Sequence, residues 1–186
     1  MEDEKDISLS QEEIKMPDNA YTELKEGEEY KPILMGNKKY PEINAWTVIW
    51  GIIMAVIFSA ATAYAGLRFG QVFEAAIPIA IIAVGASTLA KRKSPLSENV
   101  IIQSIGASSG VIVAGAIFTL PAIYIIQETN PDIQMNVNFF QIFLASLFGG
   151  FLGILFLIPF RKYFVSDMHG KYPFPEATAT TEILVS

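Results

Sequence analysis

The charged residues of this chain leave four gaps, and those gaps constrain the fold more than any other feature. No Asp, Glu, Lys or Arg occurs from Asn44 to Leu67, from Ala75 to Ala90, from Asn99 to Gln127, or from Asn136 to Phe160. A helix needs about 20 mostly apolar residues to cross the hydrocarbon of a bilayer. The first, third and fourth stretches meet this outright. The second reaches it only if Val72 and Phe73 join it past Glu74, and a buried helix of a soluble protein is the alternative for that one. The expected fold is all-α: a polytopic transmembrane helix bundle with spans near 44–67, 72–90, 99–127 and 137–160. Residues 173–186 then start a further or re-entrant helix.

Composition agrees, with 52% hydrophobic residues, 17% charged and a mean hydropathy of +0.39. There is no cysteine, so neither a disulfide framework nor a thiolate metal site is possible. The N-terminus is acidic and the first apolar run starts late, unlike a cleavable signal. The net charge of −6 lies before Trp46, in a stretch rich in Glu and Asp. Residues 1–43 therefore read as an acidic, disordered cytoplasmic arm, broken by Pro17, Pro32 and Pro41. This charge does not point to nucleic acid, and no such partner is expected. No nucleophile–base pair or metal-ligand set can be assembled, so neither an enzyme nor a bound cofactor or metal is indicated. No ring-forming filter sequence suggests a channel.

Lys and Arg favour the cytoplasmic side. Lys38 and Lys39 precede the first span, Lys91, Arg92 and Lys93 follow the second, and Arg161 and Lys162 follow the fourth. The loop "ETNPDIQMN" carries only acids, and Arg68 alone lies on the opposite side. The expected topology is N-terminus inside, with loops 68–74 and 128–136 outside. Ser94 is suited to cap the third helix, Pro95 to open it, and Glu98 to lie near its positive end. Pro121 predicts a kink or tilt in that span.

Lipid gives no hydrophobic drive for helices to associate, so small residues must let them pack closely. Three ridges at four-residue spacing are present: Gly51, Ala55, Ser59 and Ala63; Gly106, Gly110 and Ala114; Ala145, Gly149 and Gly153. Gln103, Ser104, Ser108 and Ser109 gather within two turns of the third span. They read either as interhelical hydrogen-bonding groups or as the polar wall of a substrate cavity. Arg68 and Glu74 flank the tight connection "GLRFGQVFE" and read as interfacial anchors that can pair across it.

The last segment is "YFVSDMHGKYPFPEATATTEILVS". His169, the single histidine, has no metal constellation around it and reads as incidental. Pro175 suits a helix start, with Glu176 at its positive end. Helical period then puts Thr178, Thr181 and Glu182 on one face. Such a segment is either a broken, polar helix start facing a substrate, as in secondary transporters, or a surface helix in a loop.

Three stretches carry a family resemblance: "ENVIIQSIGASSGVIVAGAIFTLPA", "RKYFVSDMHGKYPFPEATATTEIL" and "AYAGLRFGQVFEAAIPIAI". They resemble the oligopeptide transporter (OPT) family, most closely its bacterial and yellow-stripe-like branch. The resemblance implies a proton-coupled secondary transporter for small oligopeptides or metal–chelate complexes, with this chain as its N-terminal part. It implies a cavity wall of Gln103, Ser104, Ser108 and Ser109, and a broken-helix element of Pro173, Pro175, Glu176, Thr178 and Thr181. Glu182 is the implied proton-coupling group. The implied partners are the lipid bilayer, a small peptide or metal-chelate substrate, protons and the remainder of the transporter chain. The implied location is the bacterial inner (plasma) membrane. The alternative is a complete small polytopic membrane protein with a structural or assembly role, and further spans encoded past Ser186 would discriminate against it.

Overall fold

The computed structural model describes residues 16–35, 40–93, 95–132 and 138–186. Among the described residues five α-helices form: α1 (Ala45–Phe69), α2 (Ala76–Leu89), α3 (Pro95–Thr129), α4 (Phe139–Lys162) and α5 (Pro175–Val185). There is no strand among the described residues. Among the described residues three helices are long and apolar enough to cross a membrane: α1, α3, and α4 with the turn that follows it. The chain is an all-helical membrane bundle.

Local sequence sets the helix starts. Asn44 and Thr47 close a reciprocal cap on α1: the Thr47 amide donates to Asn44 Oδ1 at 3.0 Å, and the Asn44 amide donates to Thr47 Oγ1 at 3.0 Å. Asn138 Oδ1 accepts from the Phe140 amide at 2.9 Å and opens α4. Pro95 and Pro175 take the first positions of α3 and α5, where a missing N–H costs nothing. Ser94 lies outside the described residues. α3 runs unbroken through Pro121.

The core is the packing of α1 and α2 on α3. α1 lies parallel to α3, with Gly51 against Ile105 and Gly66 against Ile117. α2 runs antiparallel, with Ile79 against Gly106 and Ser87 hydrogen-bonded to Asn99. Gly106 lies between Ile79 of α2 and Met54 of α1; a Cβ there would come within 3.0–3.1 Å of both. The contact face of α1 is Thr47, Gly51, Met54, Thr62 and Gly66, so Gly51 is buried while Ala55, Ser59 and Ala63 are half-buried. A strict four-residue ridge turns about 40° per step around a 3.6-residue helix, so it leaves a straight contact line after one or two steps.

Sequence reading placed a span over 72–90. The helix that forms has 14 residues, about 21 Å in length and short of the hydrocarbon thickness. Gly70 adopts φ 70°, ends α1, and is followed by irregular chain to Ala75. This segment brings the Phe73 carbonyl beside Gly110, well inside α3. Irregular backbone at membrane depth is tolerated only where it is buried in protein or lines a cavity; Ala75 is fully buried. Arg68 and Glu74 do not pair across the bend.

α4 stands apart. None of its residues is buried, and a Cβ on Gly149, Gly150 or Gly153 would meet nothing within 4 Å. Its ridge faces α3 across an open groove of about 880 Å³ lined by Gly115, Ala116, Ala145 and Gly149. After α4 comes one π-helical turn, Tyr163–Asp167. The chain then returns through Tyr163, Phe164, Tyr172 and Phe174, whose successive ring centroids are 5.2–6.4 Å apart. This leads into α5, which packs on α2 and more lightly on α3.

Candidate substrate cavity

A cavity of about 540 Å³ lies where α3, α5 and the irregular segment before α2 meet. α3 supplies Leu96, Val100 and Gln103. α5 supplies Glu176, Ala177, Thr180, Thr181, Leu184 and Val185. These follow the i, i+3, i+4 and i+7 pattern of one helix face. Glu74 and Ala76 come from the entry of α2, and Met16, Tyr30, Pro32, Ile33 and Leu34 come from the N-terminal arm. The wall is mostly apolar with a few polar groups, as small-molecule sites generally are. Its ionisable side chains are Glu74, Glu176 and Tyr30. The groove beside α4 is lined by uncharged residues, among them the apolar Ile112, Leu120 and Ile142.

Two helices begin at this cavity, α2 at Ala76 and α5 at Pro175, and neither has a side-chain cap. Glu74 and Glu176 stand at these positive ends. The hydroxyls on α5 are held by their own helix: Thr180 donates to the Glu176 carbonyl and Thr181 to the Ala177 carbonyl, both at 2.7 Å. Their oxygen lone pairs stay available to accept.

A family model described as OPT oligopeptide transporter protein matches residues 42–186. The chain belongs to the OPT family. A relative in Haemophilus influenzae named "Putative oligopeptide transporter" is 34% identical over 121 residues, which is 65% of this chain and 18% of that protein. The chain therefore spans less than a fifth of the relative's length. No solved structure matches it significantly.

In this OPT family member, the residues singled out from sequence divide into two groups. Gln103, Glu176 and Thr181 line the cavity together. Ser104, Ser108 and Ser109 do not; each donates to a carbonyl of its own helix, Val100, Ile105 and Gly106 respectively, at 2.6–2.8 Å. Ser104 and Ser108 are exposed and Ser109 is buried. Pro173 and Pro175 bracket the entry to α5 outside the lining, and Thr178 is half-buried beside it. Glu182 is exposed and also outside the lining. Its charge, after burial, raises the pKa of Tyr21 in the arm.

Sequence reasoning missed Thr180, Glu74 and the arm. Thr180 is buried at 6% exposure, and the spacing of Glu176, Thr180 and Leu184 was a signal for this face. No periodicity in the arm indicates where its apolar residues settle. His169, read as incidental, turns out to hold the arm. Its Nε2 is 2.9 Å from the Asn19 carbonyl and its ring is 4.8 Å from that of Tyr30.

Proposed function

We propose that this chain forms part of a proton-coupled secondary transporter in the bacterial inner membrane, and that the α3–α5 cavity belongs to its substrate pathway. The substrates are small oligopeptides or metal–chelate complexes. The observation that carries this reading is the convergence of Gln103, Glu176, Thr180 and Thr181 on one largely apolar cavity of about 540 Å³. That volume lies within the range of about 300–1,000 Å³ usual for small-molecule sites. The two acidic groups suit the ammonium end of a peptide, and the apolar wall suits its side chains.

An N-terminus on the cytoplasmic side is supported by the position of the basic segments. Asn44 before α1 touches Glu98, which pairs with Arg92, and the arm touches the connection that follows Arg161 and Lys162. These segments gather at one end of the bundle, as the positive-inside rule requires. Glu182 remains the sequence-based choice for proton coupling, while Glu176 lies against the cavity. Reconstitution of the full-length protein in liposomes separates the two. Uptake of a small peptide driven by a pH gradient should fall at least about tenfold for the coupling residue changed to Gln, because an obligatory proton carrier is then lost. Counterflow without a gradient should persist. Uptake indifferent to the gradient in the unmodified protein would overturn proton coupling.

A further inference from the structure

We propose that residues 16–35 of the N-terminal arm are a strap that closes the substrate cavity, latched to the α4–α5 connection through His169 and Gly170. This rests on the reading of the cavity as a substrate pathway and adds a means of controlling access to it.

Three observations carry it. First, the arm supplies part of the wall itself: Tyr30, Ile33 and Leu34 are half-buried and line the same space as Val100 and Thr181. An acidic segment with no partner would leave these apolar side chains in water. Second, the fastening is specific. His169 Nε2 meets the Asn19 carbonyl at 2.9 Å while its ring packs on Tyr30, so one side chain grips both ends of the strap. Third, the backbones touch. Gly170 adopts φ 70°, and a Cβ there would lie 2.5 Å from the Glu23 amide nitrogen and closer still to the Thr22 carbonyl. A side chain at position 170 is therefore incompatible with the docked strap.

The strap is also organised internally. Asn19 Nδ2 donates to Glu28 Oε1 at 2.9 Å and the Lys25 amide donates to Glu28 Oε2 at 3.2 Å, which closes a loop between the two gripped points. Neither bond involves the bundle, so the strap can leave as a unit. With it docked, any solute entering the cavity past the α4–α5 connection meets Tyr30 and Leu34 first. With it released, Gln103 and the α5 face open to that side.

The absence of native cysteine makes the test direct. Val100→Cys puts a thiol in the cavity wall, and Glu42→Cys, at an exposed position outside the cavity, serves as the standard in a parallel chain. Alkylation by a polar maleimide is timed in detergent for the full-length protein. His169→Ala and Gly170→Ala release the strap by different means, one by removing the grip and one by steric conflict. Each should speed labelling at position 100 by about tenfold while position 42 is unchanged, since loss of a hydrogen bond and ring contact shifts a two-state equilibrium by roughly that factor. Removal of residues 1–35 should give at least the same acceleration. Equal rates in all four backgrounds would overturn the strap, and acceleration by truncation alone would overturn the latch. Faster labelling at both positions marks loss of the fold in that variant, and the other variants then decide. Because the rate reports cover alone and requires no transported substrate, failure of the strap and failure of the transport reading are told apart.

Discussion

Thr62 and Gly51 show how differently two buried residues of α1 stand. Thr62 is fully buried and its hydroxyl has no hydrogen-bond partner. An unsatisfied buried hydroxyl costs about 1–3 kcal/mol, and replacing it with an apolar group of the same shape removes that cost. Thr62→Val is expected to stabilise the protein by about 1 kcal/mol, read as a raised unfolding midpoint in detergent. Gly51 presents the opposite case. A Cβ there would lie 2.8 Å from Cβ of Ile105, a branched side chain with little room to turn. Overpacking costs about 1–3 kcal/mol, which exceeds the gain of up to about 1 kcal/mol in helix propensity. Gly51→Ala should therefore lower stability. Gly149→Ala, with nothing within 4 Å, should leave it unchanged or raise it. The two sites look alike in the sequence, since each lies on a small-residue ridge. What separates them is a neighbour supplied by a distant helix.

At the level of elements, one buried carboxylate ties three of them together. Glu98, 2% exposed, accepts from Arg92 Nε at 2.8 Å and Nη2 at 2.5 Å, and from Asn44 Nδ2 at 2.8 Å. Arg92 also lies 5.5 Å from the centre of the Trp46 ring. The start of α1, the α2–α3 loop and the first turn of α3 are thus fixed to one another. Sequence reading had Glu98 only as a charge near a helix end. Removing one partner of a buried pair strands the other and costs about 3–5 kcal/mol. Arg92→Ala should fall toward the lower end of that range, because its side chain is 34% exposed. Arg92→Ala with Glu98→Gln should restore part of the loss, which a double-mutant cycle on unfolding midpoints would measure.

The strap has a pH dependence of its own. The Lys25 amide, then the Asn19 amide group, hold the Glu28 carboxyl below its ordinary pKa, with the Lys25 charge adding to this. Unfolding of the strap's own loop, rather than its release, breaks these bonds, so the unfolded strap binds more protons than the folded one across the carboxylate range. The contribution of Glu28 is complete above its ordinary pKa and is lost as pH falls through the lowered one. Hydrogen exchange at the Lys25 amide should accelerate on acidification below that range, beyond the intrinsic change. Glu28→Gln should remove this pH response.

The whole molecule has one compact part, α1, α2, α3 and α5, and one open flank beside α4. Much of this was legible in advance. The charge-free gaps located α1, α3 and α4, because transfer into lipid is nearly additive along a segment. Pro95 and Pro175 marked helix starts through sterics within a single turn. Gln103, Glu176 and Thr181 lie around one cavity, whereas the three serines of α3 donate to carbonyls of their own helix.

What the sequence by itself determined was the membrane class, the family and the entries of the helices. Each depends on interactions within a few residues or on composition summed over a segment. The tertiary structure alone decided that α2 stops short of a full span, that Thr180 rather than Thr178 lines the cavity, and that residues 16–35 of the acidic arm fold onto it. Each of these turns on a partner far away in the chain: Gly110 beside Phe73, α2 and α3 beside α5, His169 beside Asn19. A helix carries every one of its faces in the sequence equally, and only the neighbour that arrives selects which face is buried.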